Sequence, residues 1–231
     1  MINAHEYKCF VVQPNRYFKS LKEQINNDTF YVHGGGWKLK DESQYNSSNN
    51  LWRLPPFTYK LIKKNQTIIG VFPPDRFDYL KNVKKYTIIE NPVDRVYQCF
   101  WYMQHQIGSK KLNKCDKIYE EYNGDLDSFI DMYIKNPDNV TLTAHCKNVI
   151  YETQYDALNQ FKDLSQFQFV GTVEKLKKSI DIVNAGFNLN LIYDEKMKAK
   201  KLDCFNHRRD ELEKVLSHQL ESYHFYNDNI D

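Results

Sequence analysis

The chain has 231 residues, of which 41% are hydrophobic and 15% aromatic, and this is the composition of a folded rather than a disordered protein. Its formal net charge of +2 gives no overall field that would attract nucleic acid, so we expect no nucleic-acid partner, and any anion site must be local. The length fits one large domain or two small ones, and we expect a single domain over residues 1–231.

The five cysteines are scattered along the chain, and neither a CxxC pair nor the Cys/His spacing of a metal site occurs. Their odd number favours free thiols in a reducing compartment, although a single disulfide would also fit. The apolar run Cys9–Val12 is too short for a secretory signal, and no stretch approaches the roughly 18 apolar residues of a membrane span. We therefore expect a cytoplasmic protein without a metal, and the sequence leaves its oligomeric state open.

The chain opens with the β-prone run Tyr7–Val12, which predicts a buried strand. A proline then interrupts the run, and Tyr17–Asn26 carries apolar residues at helical spacing. Arg16, Lys19 and Ser20 lie near the intervening loop and first helical turn, where a phosphate or sulfonate would bind. The Gly-rich cradle of a P-loop is absent, so a solvated helix surface is the alternative interpretation.

The segment Thr29–Pro56 is polar and rich in glycine, asparagine and serine. We interpret it as a long loop or lid over residues 29–56, with a short hairpin at Phe30–Leu39. Within it, His33, which stands beside three glycines, is the titratable group with catalytic potential. A surface histidine in a flexible loop is the alternative.

The following segments alternate between β-prone and helical patterns, as in an α/β protein. The predicted strands are Thr67–Phe72, Lys85–Glu90 and Phe167–Val170. The predicted helices are Phe57–Lys64, a short one ending at Leu80, Pro92–Gln106, Leu126–Lys135 with Asp125 as its cap, Tyr155–Leu164, Val173–Phe187 and Asn206–Asn227. We therefore expect a mostly parallel central sheet flanked by helices, with ligands at the carboxyl ends of its strands.

The turn at Asn91 and Pro92 joins a predicted strand to a predicted helix. Proline is tolerated at the first helical position, and an asparagine before it can accept hydrogen bonds from the free amides of the first turn. Unpaired N–H groups and the helix dipole make such a junction a natural anion site, whereas an ordinary strand–helix turn without a ligand is the simpler alternative.

Four segments, in their order along the chain, resemble the sulfotransferase family of the carbohydrate or heparan-sulfate type, and a fifth, Gln13–Leu21, falls where the family has its loop for the 5′-phosphosulfate. The closest similarity is in Pro92–Val96, which matches the family pattern Arg-Asp-Pro-Val-x-Arg-Val from its proline onward. The segments are QPNRYFKSL (Gln13–Leu21), GVFPPDRFDYL (Gly70–Leu80), TIIENPVDRVYQCFWYM (Thr87–Met103), FVGTVEKLKKSIDIV (Phe169–Val183) and LESYHFYND (Leu220–Asp228).

This resemblance implies a three-layer, P-loop-related fold and the transfer of a sulfonate from 3′-phosphoadenosine 5′-phosphosulfate to a hydroxyl, with a carbohydrate as the expected acceptor. If the chain is a working sulfotransferase with a remodelled site, we expect Arg16 and Lys19 to bind the 5′-phosphosulfate and His33, Asp75 or Glu90 to be the base that activates the acceptor. The residues that the resemblance places around the donor are Asn15, Arg16, Lys19, Ser20, Asn91, Asp94 and Gln98.

The chain departs from the family pattern at positions that carry chemistry. Glu90 stands where the family has the arginine for the donor 3′-phosphate, Gln98 replaces a serine that also holds this phosphate, and Val71 replaces a histidine found in several members. Two further hypotheses therefore stay open. The chain could be a sulfotransferase-fold module that binds glycans without a donor, or a transferase that uses another phosphorylated donor.

Overall fold

The computed structural model describes residues 7–12, 29–33, 36–39, 46–47, 67–70, 82–108, 122–135, 137, 164–194 and 203–231. Several predicted helices lie outside these residues, namely Tyr17–Asn26, Phe57–Lys64, the one ending at Leu80, and all but the last residue of Tyr155–Leu164. Within the described ranges, no helix is both long and apolar enough to cross a membrane.

The described strands form one seven-stranded sheet of mostly parallel strands. They are β1 (Tyr7–Val12), β2 (Thr29–His33), β3 (Gly36–Leu39), β4 (Asn46–Ser47), β5 (Thr67–Gly70), β6 (Val83–Ile89) and β7 (Phe169–Thr172). Their order across the sheet is β4-β3-β2-β5-β1-β6-β7. Strands β2, β5, β1, β6 and β7 are parallel to their neighbours in this series, whereas β3 is antiparallel to β2 and β4. The predicted α/β class with a mostly parallel sheet is confirmed.

The strand order of the sheet reverses between β1 and β6. After β1 the chain adds β2 and β5 on one side, and it then adds β6 and β7 on the other. At this boundary Val12, the last residue of β1, pairs with Ile88. In open parallel sheets, ligands bind outside the carboxyl ends of the strands at such a reversal.

The hairpin predicted at Phe30–Leu39 is confirmed, because Phe30 pairs with Leu39 across antiparallel strands β2 and β3. The hairpin is also part of the main sheet, since β2 pairs in parallel with β5. Part of the predicted long loop is therefore regular β-structure, and its function as a lid stays a prediction.

The described helices are α1 (Pro92–Gly108), α2 (Leu126–Lys135), α3 (Leu176–Phe187), α4 (Arg209–Val215) and α5 (Ser217–Asp228), with 3₁₀ turns at Leu164–Gln166 and Asp203–Asn206. Helix α2 has the predicted bounds, and the Asp125 carboxylate accepts a hydrogen bond from the amide of Ser128 at 2.8 Å, as its predicted cap should. Helix α1 begins at the predicted proline and extends two residues beyond the predicted end.

Several predicted boundaries were wrong, and the strand predicted at Lys85–Glu90 is Val83–Ile89. The strand predicted at Phe167–Val170 is Phe169–Thr172, because Thr172 pairs with Ile89 and so extends the strand, and the helix after it begins at Leu176 rather than Val173. The single helix predicted over Asn206–Asn227 is two helices. Arg208 adopts a left-handed conformation (φ 53°) immediately before α4, and Leu216 separates α4 from α5.

The chain divides into two compact units. The first contains the sheet and α3, with a core that includes Ile88, Leu176, Ile180 and Phe187. The second begins at Glu90 and contains α1, α2, α4 and α5. Its core consists mainly of aromatic and aliphatic side chains, among them Val93, Tyr97, Phe100, Phe129, Ile130, Leu212 and Leu216. The single domain over residues 1–231 stays a prediction.

Candidate functional site at the start of helix α1

The first turn of α1 is capped as the sequence predicts. The side-chain oxygen of Asn91 accepts hydrogen bonds from the amides of Val93 at 2.9 Å and Asp94 at 3.4 Å. Pro92 occupies the first helical position, where its missing N–H would in any case have no helical partner. Asn91 therefore uses, within the chain, two of the amides that a helix start would otherwise present to an anion.

A buried ion pair follows directly after strand β6. The side-chain nitrogen Nη1 of Arg95 donates to Oε2 of Glu90 at 3.3 Å, and their side chains are 0% and 4% exposed. The Gln98 amide donates to the other carboxylate oxygen, Oε1 of Glu90. Burial raises the pKa of Glu90 above its ordinary value, against the opposing influence of Arg95 and Gln98. The carboxylate of Glu90 thus lies where two side-chain donors of α1 converge.

A second ion pair joins the same helical turn to α4. The Asp94 carboxylate, 5% exposed, accepts a hydrogen bond from Nη1 of Arg209 at 2.7 Å. The same guanidinium donates to the carbonyl of Phe205 at 3.2 Å and through Nε to Glu213 at 2.8 Å. Asp94 therefore binds a cation of its own chain, and this contact holds α4 against α1.

We refer to Glu90, Asn91, Asp94, Arg95 and Gln98 together as the Glu90 cluster. Its members are all buried except Gln98, which is partly buried. Four of them were predicted from the sequence as donor-binding or catalytic residues, and the structure brings these four together. Each has at least one partner within the chain. The cluster is a polar network in which Arg95 and Gln98 both donate to the Glu90 carboxylate.

Gly171 in strand β7 and Ser179 in helix α3 are packed against each other. A Cβ atom on Gly171 would lie 2.6 Å from the Cβ of Ser179, so no larger residue fits without a shift of the helix. The Ser179 hydroxyl accepts a hydrogen bond from the amide of Thr172 at 3.0 Å. The strand and helix of this motif are therefore in direct contact, which accounts for both residues by structure.

The side chains of the remaining predicted site residues are not described by the structure. Asn15, Arg16, Lys19, Ser20 and Asp75 lie outside the described residues. His33 is the last residue of β2 and pairs with Gly36, and only its main chain is described. Their assignments as donor-binding or catalytic residues stay predictions. Within the described part of the chain, no group of three His, Cys, Asp or Glu side chains could hold a metal ion.

Sequence reasoning missed the cations that complete the network. Arg95 belongs to the matched motif, but the sequence did not predict its contact with Glu90. The available signal was that Glu90 stands where the family has an arginine, since a negative charge at this position needs a cation nearby. Arg209 could not have been found, because it lies 115 residues from Asp94 in the sequence. A second, exposed network was also missed, in which Arg208 contacts Asp127, Asp131 and Glu211 while His207 contacts Asp127.

No protein-family model matches the chain, and no curated protein matches it. Among solved structures, a sulfotransferase from Alicyclobacillus acidocaldarius is 13% identical, with a TM-score of 0.44 over 93% of this chain and 94% of that chain. The mouse sulfotransferase SULT7A1, solved complexed with PAP, is 15% identical, with a TM-score of 0.43. That match covers 90% of this chain and 66% of the mouse protein.

Proposed function

We propose that the chain is a sulfotransferase that moves a sulfonate from a nucleotide 5′-phosphosulfate, of which 3′-phosphoadenosine 5′-phosphosulfate is the expected example, to a hydroxyl of a carbohydrate-like acceptor. The observation that carries the proposal is the reversal of strand order between β1 and β6. The two segments predicted to bind the donor follow these two strands in the sequence, and ligands of parallel sheets bind at such reversals.

In the proposed reaction, the acceptor oxygen forms a bond to sulfur as the bond from sulfur to the phosphate oxygen breaks. The electron pair of the broken bond stays on that oxygen, so negative charge grows on the departing nucleotide. Arg16 and Lys19 would bind the phosphosulfate and stabilise this charge. Asn15 and Ser20, in the same segment, would complete the donor contacts.

The proton of the acceptor hydroxyl passes to a base within hydrogen-bond reach. The sequence suggests His33, Asp75 or Glu90 for this role. Glu90 is 3% exposed and its two carboxylate oxygens already accept hydrogen bonds from Arg95 and Gln98. These contacts favour His33 or Asp75 as the base.

Titration calorimetry with adenosine 3′,5′-bisphosphate and with adenosine 5′-phosphate tests the proposal, because each is the nucleotide left after sulfonate transfer from one form of the donor. We expect at least one of them to bind, and Arg16→Ala and Lys19→Ala to weaken binding by roughly tenfold or more each. Lys177→Ala is the matched control, since it removes an exposed cation of helix α3. Absence of heat with both nucleotides at millimolar concentration would refute a sulfotransferase.

The second candidate is a glycan-binding module without a donor, and the Glu90 cluster is the observation that favours it. Its polar groups contact each other, so these contacts form without a nucleotide. If the protein is such a module, we expect a carbohydrate to bind with the same affinity whether or not nucleotide is present. A nucleotide that copurifies with the protein would exclude this candidate.

A further inference from the structure

Among the described residues, three exposed asparagines share a left-handed backbone. Asn82, Asn123 and Asn188 have φ values of 58°, 49° and 55°. Asparagine tolerates this conformation better than most residues, so no strain needs to be invoked at these positions. The residue that follows them is valine, glycine and leucine, respectively. Backbone conformation and exposure are thus matched among the three, and the following residue is what distinguishes them.

The following residue controls a reaction of the asparagine side chain. The main-chain nitrogen of the next residue attacks the side-chain carbonyl carbon, so that a new C–N bond forms. The side-chain nitrogen leaves as ammonia and takes with it the proton of the attacking N–H group. Water then opens the five-membered succinimide ring at either of its carbonyl carbons, which gives aspartate or isoaspartate. Glycine favours the attack because it has no side chain and adopts the widest range of backbone angles, whereas a branched valine hinders it.

Asn123 and Gly124 form the turn that leads into helix α2. Gly124 also has a positive φ, of 69°, and the amide of Asp125 donates a hydrogen bond across the turn to the carbonyl of Tyr122 at 2.9 Å. The dipeptide Asn-Gly occurs at this one place in the sequence. Because Asn123 is exposed, water has access to it for the second step of the reaction.

Groups adjacent to Asn123 attach this turn to two helices. The carbonyl of Gly124 accepts a hydrogen bond from Nε2 of Gln104 in α1 at 2.7 Å, and the Asp125 carboxylate caps α2 through the amide of Ser128 at 2.8 Å. In isoaspartate the main chain runs through the side chain, which inserts one further C–C bond of about 1.5 Å before the glycine. A displacement of this size breaks a hydrogen bond. The isoaspartate product is therefore incompatible with the present contacts of the turn.

We propose that Asn123 is a site of spontaneous deamidation, and that its isoaspartate product loosens the turn from α1 and from the start of α2. Water is the co-reactant of this modification. The inference goes beyond the proposed function and does not depend on it, because neither the reaction nor its effect on the turn involves a nucleotide or an acceptor.

Peptide mass spectrometry of the folded protein during incubation at mildly alkaline pH tests the site. Each deamidation raises the mass of a peptide by about 1 Da, and labelling by a protein isoaspartate methyltransferase distinguishes isoaspartate from aspartate. Asn82 and Asn188 are the internal references. We expect the product to form at least about tenfold faster at Asn123 than at either of them. Equal rates at the three positions, or the absence of product at Asn123, overturn the inference.

Asn123→Gly is the matched variant, because glycine keeps a positive φ without strain and has no side-chain amide. We expect the Ser128 amide of the incubated wild-type protein to exchange with deuterium about tenfold faster than before incubation, and that of the variant to be unchanged. Asn188→Gly removes an amide at a matched position and should keep the effect. Unchanged exchange in isoaspartate-containing wild-type protein, or faster exchange in the incubated Asn123→Gly protein, overturns the proposed loosening.

Discussion

The ring of Tyr86 lies directly over Gly186, so closely that a Cβ atom on Gly186 would be 2.1 Å from Cε2 of that ring. Tyr86 belongs to strand β6 and Gly186 to helix α3, and the same ring packs edge-on against Phe187 at 4.7 Å between ring centroids. This contact fixes how close α3 can approach the sheet. The glycine is present because any side chain would occupy the space of the tyrosine.

We predict that Gly186→Ala destabilises the protein, although alanine is ordinarily the better helix former by roughly 1 kcal/mol. The overpacking against Tyr86 should cost about 1–3 kcal/mol and outweigh that gain. The free energy of unfolding in urea measures the effect. In a Tyr86→Ala background the same change should be neutral or stabilising, and an equal loss in both backgrounds would contradict the steric explanation.

The ion pair between Asp94 and Arg209 leads to a second prediction. Arg209→Leu would leave the buried Asp94 carboxylate without its cation, and we expect a loss of about 3–5 kcal/mol in the free energy of unfolding. Glu213→Gln is the control, because it removes the more exposed partner of Arg209 and should cost less than about 1 kcal/mol. Similar losses in the two variants would show that Asp94 does not depend on Arg209.

Arg208 combines a left-handed backbone with three carboxylate contacts, and the two features can be separated by mutation. Arg208→Gly removes the contacts but relieves the backbone strain, because glycine adopts a positive φ freely. Arg208→Ala removes the contacts and keeps the strain. We therefore expect the alanine variant to have the lower melting temperature. A glycine variant that melts lower than the alanine variant would contradict the argument.

The raised pKa of Glu90 predicts a specific dependence of stability on pH. Because the folded protein holds this proton more tightly than the unfolded chain, stability should fall as pH rises from about 4.5 to the folded pKa and then level off. Glu90→Gln lacks this titration, so only the wild-type protein should lose this stability as pH rises across that range. The free energy of unfolding of the variant should therefore increase relative to that of the wild type. Urea unfolding at a series of pH values measures it, and parallel curves would show that burial does not control Glu90.

The elements that the sequence predicts best are those whose signals are local. Helix α2 has its own cap at Asp125 and its own apolar face, so its bounds follow from adjacent residues. The start of α1 is equally local, since Asn91 and Pro92 define it. The boundary at Thr172 depends instead on pairing with Ile89, a residue far away in the sequence.

In the candidate site, too, the sequence predicts the residues of a local motif but not their distant contacts. Glu90, Asn91, Asp94 and Gln98 could be nominated because they lie within one short segment that resembles a known motif. Their partners decide what the segment can do, and neither the convergence of Arg95 and Gln98 on Glu90 nor the contact from Arg209 to Asp94 follows from the spacing of residues. A motif locates side chains along the chain, whereas their charges and contacts depend on tertiary structure.

The cap formed by Asn91 has a consequence for experiments that follow solvent exchange. Because the Val93 and Asp94 amides are hydrogen-bonded within the chain, their deuterium uptake requires the first turn of α1 to open. These two positions therefore report the local stability of the turn even when no ligand is bound. They provide an internal reference against which protection elsewhere in the chain, caused by a bound nucleotide, can be recognised.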